Sequence, residues 1–85
     1  TCVVRGCIPK KLMVYGSRFP ALFHDAAGYG WHVGETSLDW QHFITVIDNE
    51  VNRLSQLHIN FLAKAGVELI PSRAALVDPH TIEVD

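Results

Sequence analysis

Thr1-Cys2-Val3-Val4-Arg5-Gly6-Cys7-Ile8-Pro9-Lys10-Lys11 holds the only two cysteines of the 85-residue chain, with four residues between them. The stretch runs directly into a helical pattern. A helix start carries unpaired N–H groups and a partial positive charge, which favour thiolate over thiol. Lys10 and Lys11, within four residues of Cys7, push the same way. Thiolates in such surroundings attack and leave readily in disulfide exchange. The spacing permits a small ring. By itself it leaves open a redox pair, a structural disulfide, two packed free thiols or a metal site.

Outward from this stretch, Ile8, Leu12, Tyr15, Phe19, Leu22, Phe23 and Ala26 recur every three or four positions, which predicts a one-sided helix over 7–27. Pro9 suits a first turn, whereas Pro20 should divide the pattern into two consecutive helices. Three glycines, Gly28, Gly30 and Gly34, mark 28–38 as a loop. Asp39 is a good N-cap and Gly66 a good left-handed terminator. Between them Trp40, Phe43, Ile44, Ile47, Val51, Leu54, Leu57, Phe61, Leu62 and Ala65 keep a helical rhythm, so a long helix is expected over 39–65. At about 1.5 Å per residue it would span about 39 Å, and its apolar stripe calls for more protein to pack on. Val67–Ile70, Arg73–Val77 and Thr81–Val84 read as three short strands of a β-meander over 67–85, punctuated by Pro71-Ser72 and Asp78-Pro79-His80. Phe19, Phe23, Trp31, Trp40 and Phe43 are expected in the core.

Composition narrows the classes. A net charge of −2 implies neither a nucleic acid nor an anionic membrane as partner. No run of about 18 apolar residues suggests a membrane helix, and no signal-peptide pattern is present. Two cysteines are too few for a secreted disulfide scaffold. The five histidines, His24, His32, His42, His58 and His80, lie at no zinc-ligand spacing from the cysteines, so no metal is expected. Glu50 and Arg53, three apart on the long helix, read as an exposed ion pair. Beginning on Thr1 and stopping on a strand-like Asp85, the chain reads as a piece of a longer protein.

With Cys2, Cys7 and Pro9-Lys10-Lys11 at a helix start, the chain resembles the flavin-dependent disulfide reductases. The family's stretch reads G-G-T-C-x-x-x-G-C-x-P-[KS]-K, and Thr1, Cys2, Gly6, Cys7, Pro9, Lys10 and Lys11 meet every position from its Thr onward. The likeness continues through Leu12-Met13-Val14-Tyr15, Ala27-Gly28-Tyr29-Gly30-Trp31, the long helix and Ala65-Gly66-Val67-Glu68-Leu69-Ile70. Pro-Lys-Lys, where lipoamide dehydrogenases and mercuric reductases usually show Pro-Ser-Lys, and Arg5, where trypanothione reductases usually show Val, point to the glutathione-reducing branch.

The resemblance implies an α/β fold: residues 1–85 would be part of a three-layer, Rossmann-like FAD-binding domain. It also implies electron flow from NADPH through FAD and the Cys2–Cys7 disulfide to oxidised glutathione, in a cytoplasmic homodimer. Cys7 would be the flavin-side thiol and Cys2 the interchange thiol that attacks substrate. Lys10 would lie beside the flavin, Thr1 would contact FAD, and Arg73 and Ala74 would fall at its adenosine part. Lys11 and His58 would face glutathione. Two positions depart from the family: His58 stands where a lid Tyr is usual, and Phe61 replaces a polar residue. The dinucleotide fingerprint, the NADPH domain and the dimer domain with its His-Glu pair have no counterpart here, which implies that the piece is inactive alone. The alternatives are a trypanothione, lipoamide or mercuric reductase, or a non-enzymatic domain with a structural disulfide.

Overall fold

Asp39 accepts a hydrogen bond from the His42 backbone N–H at 3.0 Å and so starts the longest element of the chain. In the computed structural model, which describes residues 1–85, this helix is α4, Trp40–Lys64. Ahead of it lie α1 (Cys2–Arg5), α2 (Cys7–Ser17) and α3 (Phe19–Gly28); after it come strands β1 (Ala74–Asp78) and β2 (Thr81–Val84). Gly66, at φ 78°, ends α4 in the left-handed conformation that suits glycine. Val67 N–H then reaches back to Leu62 O at 2.9 Å, and Gly66 N–H to Ala63 O at 3.1 Å. Gly30, at φ 96°, ends α3 the same way, with Trp31 N–H on Ala26 O at 3.1 Å.

The helical pattern after Cys7 divides as Pro20 requires, with Arg18 standing between α2 and α3. Pro20 falls in the first turn of α3, where its missing N–H removes no helical bond. The sequence pattern does not foresee α1: Cys2 sits inside a single helical turn of its own, where Arg5 N–H bonds Thr1 O at 2.8 Å.

Helices α1 and α2 pack against α4, and because the end of α2 lies at the start of α4 while its beginning lies by the middle of α4, the two run antiparallel. Near the end of α2, Gly16 lies under the Phe43 ring; a Cβ there would stand 2.6 Å from Phe43 Cζ, so glycine is what allows this approach. Towards the start of α2, Pro9, Lys10 and Met13 line one cavity with Ile44, Ile47 and Val51. Ile47 (3% exposed) and Val51 (6%) are the only buried side chains, so the core is the contact of α1 and α2 with the middle of α4.

Two expectations are corrected. Val67–Ile70 joins no ladder, and the sheet is the two-stranded antiparallel hairpin β1–β2, with Ala74 opposite Val84 and a register shift between Leu76 and Asp78. A strand needs a neighbour for its N–H and C=O groups. Pro71 has no N–H, and Ser72 N–H turns back to Ile70 O at 2.8 Å, so 67–70 is not folded onto β1. The hairpin packs against no helix.

The aromatic residues also fail to form a core: Phe19, Phe23, Trp31 and Trp40 are all exposed, Trp31 at 73%. An apolar groove of about 560 Å³ opens among Met13, Phe19, Phe23, Leu38, Trp40 and Phe43. The radius of gyration is 20.5 Å, against about 12 Å for a compact domain of this length. No second layer within these residues covers the apolar faces. No helix is long and apolar enough to cross a membrane.

Glu50 and Arg53 form the expected exposed pair, with Arg53 Nε and Nη2 donating to the two carboxylate oxygens at 2.9 and 2.6 Å. The hydrogen bond from Arg53 holds Glu50 below the usual carboxylate range. A lowered folded-state pKa stabilises above the unfolded value and loses that contribution as pH falls through the folded one. Arg53→Gln is therefore expected to return the Glu50 titration, followed by NMR, to the ordinary carboxylate range.

A second expectation concerns the open core. Produced by itself, the 85-residue chain should bind a hydrophobic dye and lose helical circular dichroism over a broad transition, as loosely packed states do. A sharp transition without dye binding would contradict it.

Candidate functional site

Cys2 and Cys7 are joined in a disulfide, with Cα atoms 4.7 Å apart, within the span such a bond requires. The ring it closes holds Val3, Val4, Arg5 and Gly6 and links the start of α1 to the start of α2. Gly6 makes so tight a ring possible. A Cβ on it would lie 3.2 Å from both Cys2 Cα and Thr1 O, backbone atoms that cannot swing aside.

The two sulfurs occupy unlike positions. Cys7 is the first residue of an eleven-residue helix with no acidic side chain in its first turn, whereas Cys2 lies on a turn of four residues. A longer helix sums more peptide dipoles, so the start of α2 favours a thiolate at Cys7 more than α1 favours one at Cys2. Both cysteines are exposed.

Lys10 is three residues beyond Cys7 on the same helix, a spacing that places two side chains on one face. It lines a cavity of about 410 Å³ with Arg5, Gly6 and Pro9 on one side and Ile44, Ile47, Asp48 and Val51 of α4 on the other. The ring, Lys10 and the middle of α4 thus form one region. Lys11 points elsewhere: its Nζ lies 5.5 Å from the Tyr15 ring centre, and Arg18 approaches the same ring at 5.0 Å, both at cation–π range.

The remaining residues singled out by sequence stand apart. Thr1 contributes its carbonyl to the α1 turn and makes no side-chain cap. His58 lies on α4 beyond the stretch that meets α1 and α2; its Nδ1 is 2.8 Å from Leu54 O, and its ring stands 6.5 Å from that of Phe61. Arg73 and Ala74 belong to the hairpin, where Arg73 O accepts from Asp85 N–H at 3.2 Å. No group of three His, Cys, Asp or Glu side chains is placed to hold a metal ion.

Two residues that shape the region escape the sequence reading. Gly16 carries no motif, though a glycine inside a helical pattern, on the face that packs, was its signal. Asp48 is the other: it is four residues from Ile44 and one from Ile47, a charge within the stripe of α4 that packs.

The crowding at Gly6 has a measurable consequence. Gly6→Ala should strain the closed ring and shift the Cys2–Cys7 equilibrium in a glutathione redox buffer toward the dithiol by about tenfold, equivalent to about 1.4 kcal/mol of overpacking. An unchanged equilibrium would show that the ring tolerates the methyl group.

No family model matches the chain. Among curated proteins it is 76% identical over 84 residues to glutathione reductase of Nostoc sp., covering 99% of this chain and 18% of that protein. It is 45% identical to the chloroplastic/mitochondrial glutathione reductase of Pisum sativum, over all of this chain and 16% of the relative. The glutathione reductase of Burkholderia cepacia is 42% identical, over 99% of this chain and 19% of its own length. The chain therefore spans less than a fifth of each of these relatives. Along its whole length it is a sequence relative of the glutathione reductases, matched to one stretch of them.

Proposed function

We propose that the chain is the disulfide-bearing segment of an NADPH-driven, FAD-dependent glutathione-disulfide reductase. The observation that carries the reading is the closed Cys2–Cys7 ring at the start of α2, with Lys10 on the face of Cys7, in a chain similar throughout to glutathione reductases.

The residues present fit a flavin on the Cys7 side. Cys7 and Lys10 offer an accessible sulfur and an accessible cation on one helix face, with no carboxylate in the first turn to oppose them. That set suits a planar group that gains negative charge on reduction. Thr1, Cys7 and Lys10 would hold the group there, and Arg73 and Ala74 its adenosine part. When bound, FAD supplies the two-electron link to NADPH.

The chain's own residues account for the rest. Two electrons and a proton open the Cys2–Cys7 bond to a thiolate and a thiol. The thiolate is Cys7; Cys2, the thiol, gives up its proton as it attacks one sulfur of glutathione disulfide to form a mixed disulfide, and that proton leaves on the first glutathione as its thiol. Cys7 thiolate then attacks the Cys2 sulfur, re-forms the ring and expels the second. Lys10 and the helix start hold Cys7 as thiolate for that step. Lys11 and His58 would meet the peptide ends of the substrate.

The fold of the longer protein would be a three-layer dinucleotide-binding domain, for which α4 and the hairpin offer unpaired faces, in a homodimer whose partner completes the glutathione site. A reactive cysteine pair suits a reducing compartment such as the cytoplasm, although the Pisum sativum relative is named for the chloroplast and mitochondrion.

The test uses the full-length protein. NADPH oxidation should be rapid with glutathione disulfide and slow with trypanothione disulfide or lipoamide. Cys2→Ser and Cys7→Ser should each lower turnover on the order of 10³-fold or more. After reduction and exposure to glutathione disulfide, Cys7→Ser should accumulate one glutathionyl group on Cys2, seen by mass, whereas Cys2→Ser should accumulate far less. No NADPH oxidation with glutathione disulfide would return the pair to a structural role.

A further inference from the structure

Arg5, on the disulfide ring, and Lys10, on the first turn of α2, line the same cavity as Asp48 of α4. None of the three is in an ion pair; the only one in the chain is Glu50–Arg53, whose charges satisfy each other. Asp48 is the sole acidic side chain lining this cavity, and its other walls are Val4, Gly6, Pro9, Met13, Ile44, Ile47 and Val51. All three charged side chains are exposed, so they act on one another through water and only over short distances. A carboxylate on the packing stripe of α4 that lines one cavity with two cations beside the disulfide ring competes with the thiolate of the reduced pair for positive charge.

We propose that Asp48 is a positioning and tuning residue for the Cys2–Cys7 pair: it draws Arg5 and Lys10 toward α4 and so limits how far they lower the thiol pKa values and favour the dithiol. The charged groups lining the cavity beside the ring are Arg5 from the ring itself, Lys10 from α2 and Asp48 from α4. Lys11 is engaged on Tyr15 and the Glu50–Arg53 pair is self-contained.

Removing the negative charge leaves both cations to the sulfurs. The thiolates gain stability, their pKa values fall, and because the reduced state is the anionic one the pair becomes easier to reduce. The inference deepens the proposed reductase reading but concerns only the thiol pair. Its readouts, thiol titration and redox equilibrium, require no turnover, so its failure is distinct from failure of that reading.

The experiment compares full-length wild type, Asp48→Asn, Asp48→Glu and Glu50→Gln. In each, the pH dependence of iodoacetamide alkylation of the reduced pair and its equilibrium in a glutathione redox buffer are measured. Asp48→Asn, nearly the same shape, should move the alkylation midpoint to lower pH and shift the equilibrium toward dithiol by about threefold or more. Asp48→Glu, which restores the charge, should return both toward wild type. Glu50→Gln should move neither. The proposal is overturned if Asp48→Asn leaves both readouts unchanged, if Asp48→Glu matches Asp48→Asn, or if Glu50→Gln shifts them equally.

Discussion

Everything in this chain that could do chemistry depends on one contact, the seating of the disulfide ring and the first turns of α2 on Ile47 and Val51 of α4. These two side chains are the only ones removed from water, and each is worth about 1.5–3 kcal/mol when fully buried. That is little for so many ordered residues, and the arrangement works because two glycines let backbones close in. Gly6 narrows the ring until no Cβ fits comfortably, and Gly16 lets the Phe43 ring rest on α2. At both places the missing side chain sets the distance.

The same contact makes two cysteines of one short stretch chemically unequal. A generic pair with four residues between would present equivalent thiols. Here the break at Gly6 gives Cys7 the start of an eleven-residue helix and leaves Cys2 on a single turn. The dipole and Lys10 act on one sulfur, while the other is carried on a short, exposed element. A division of labour between the sulfurs is thus built into the backbone before any cofactor or substrate is considered.

Much of this was legible in the sequence, because it depends on local rules. Asp39, Gly66 and Pro20 delimit helices through hydrogen bonds and torsions satisfied within a few residues, and Glu50 and Arg53 meet because they share a turn. What escaped depends on neighbours. Val67–Ile70 has the composition of a strand, but no strand lies beside it, and composition cannot supply a partner. Phe19, Phe23, Trp31 and Trp40 have the hydrophobicity of a core without a second layer to enclose them. Asp48 and Gly16 were passed over for the opposite reason: each breaks the apolar pattern of its helix, and only the packing shows that the break faces the site.

Because the backbone itself is seated on α4, the Cα atoms of Cys2 and Cys7 are held 4.7 Å apart by packing as well as by their shared bond. Proximity of that kind behaves as concentration. A group held beside its target reacts as though present at effective molarities far beyond any attainable in solution. Any sulfur that becomes attached to Cys2 would therefore face Cys7 as an intramolecular competitor that outruns free thiols, so an adduct at Cys2 would be short-lived by geometry alone.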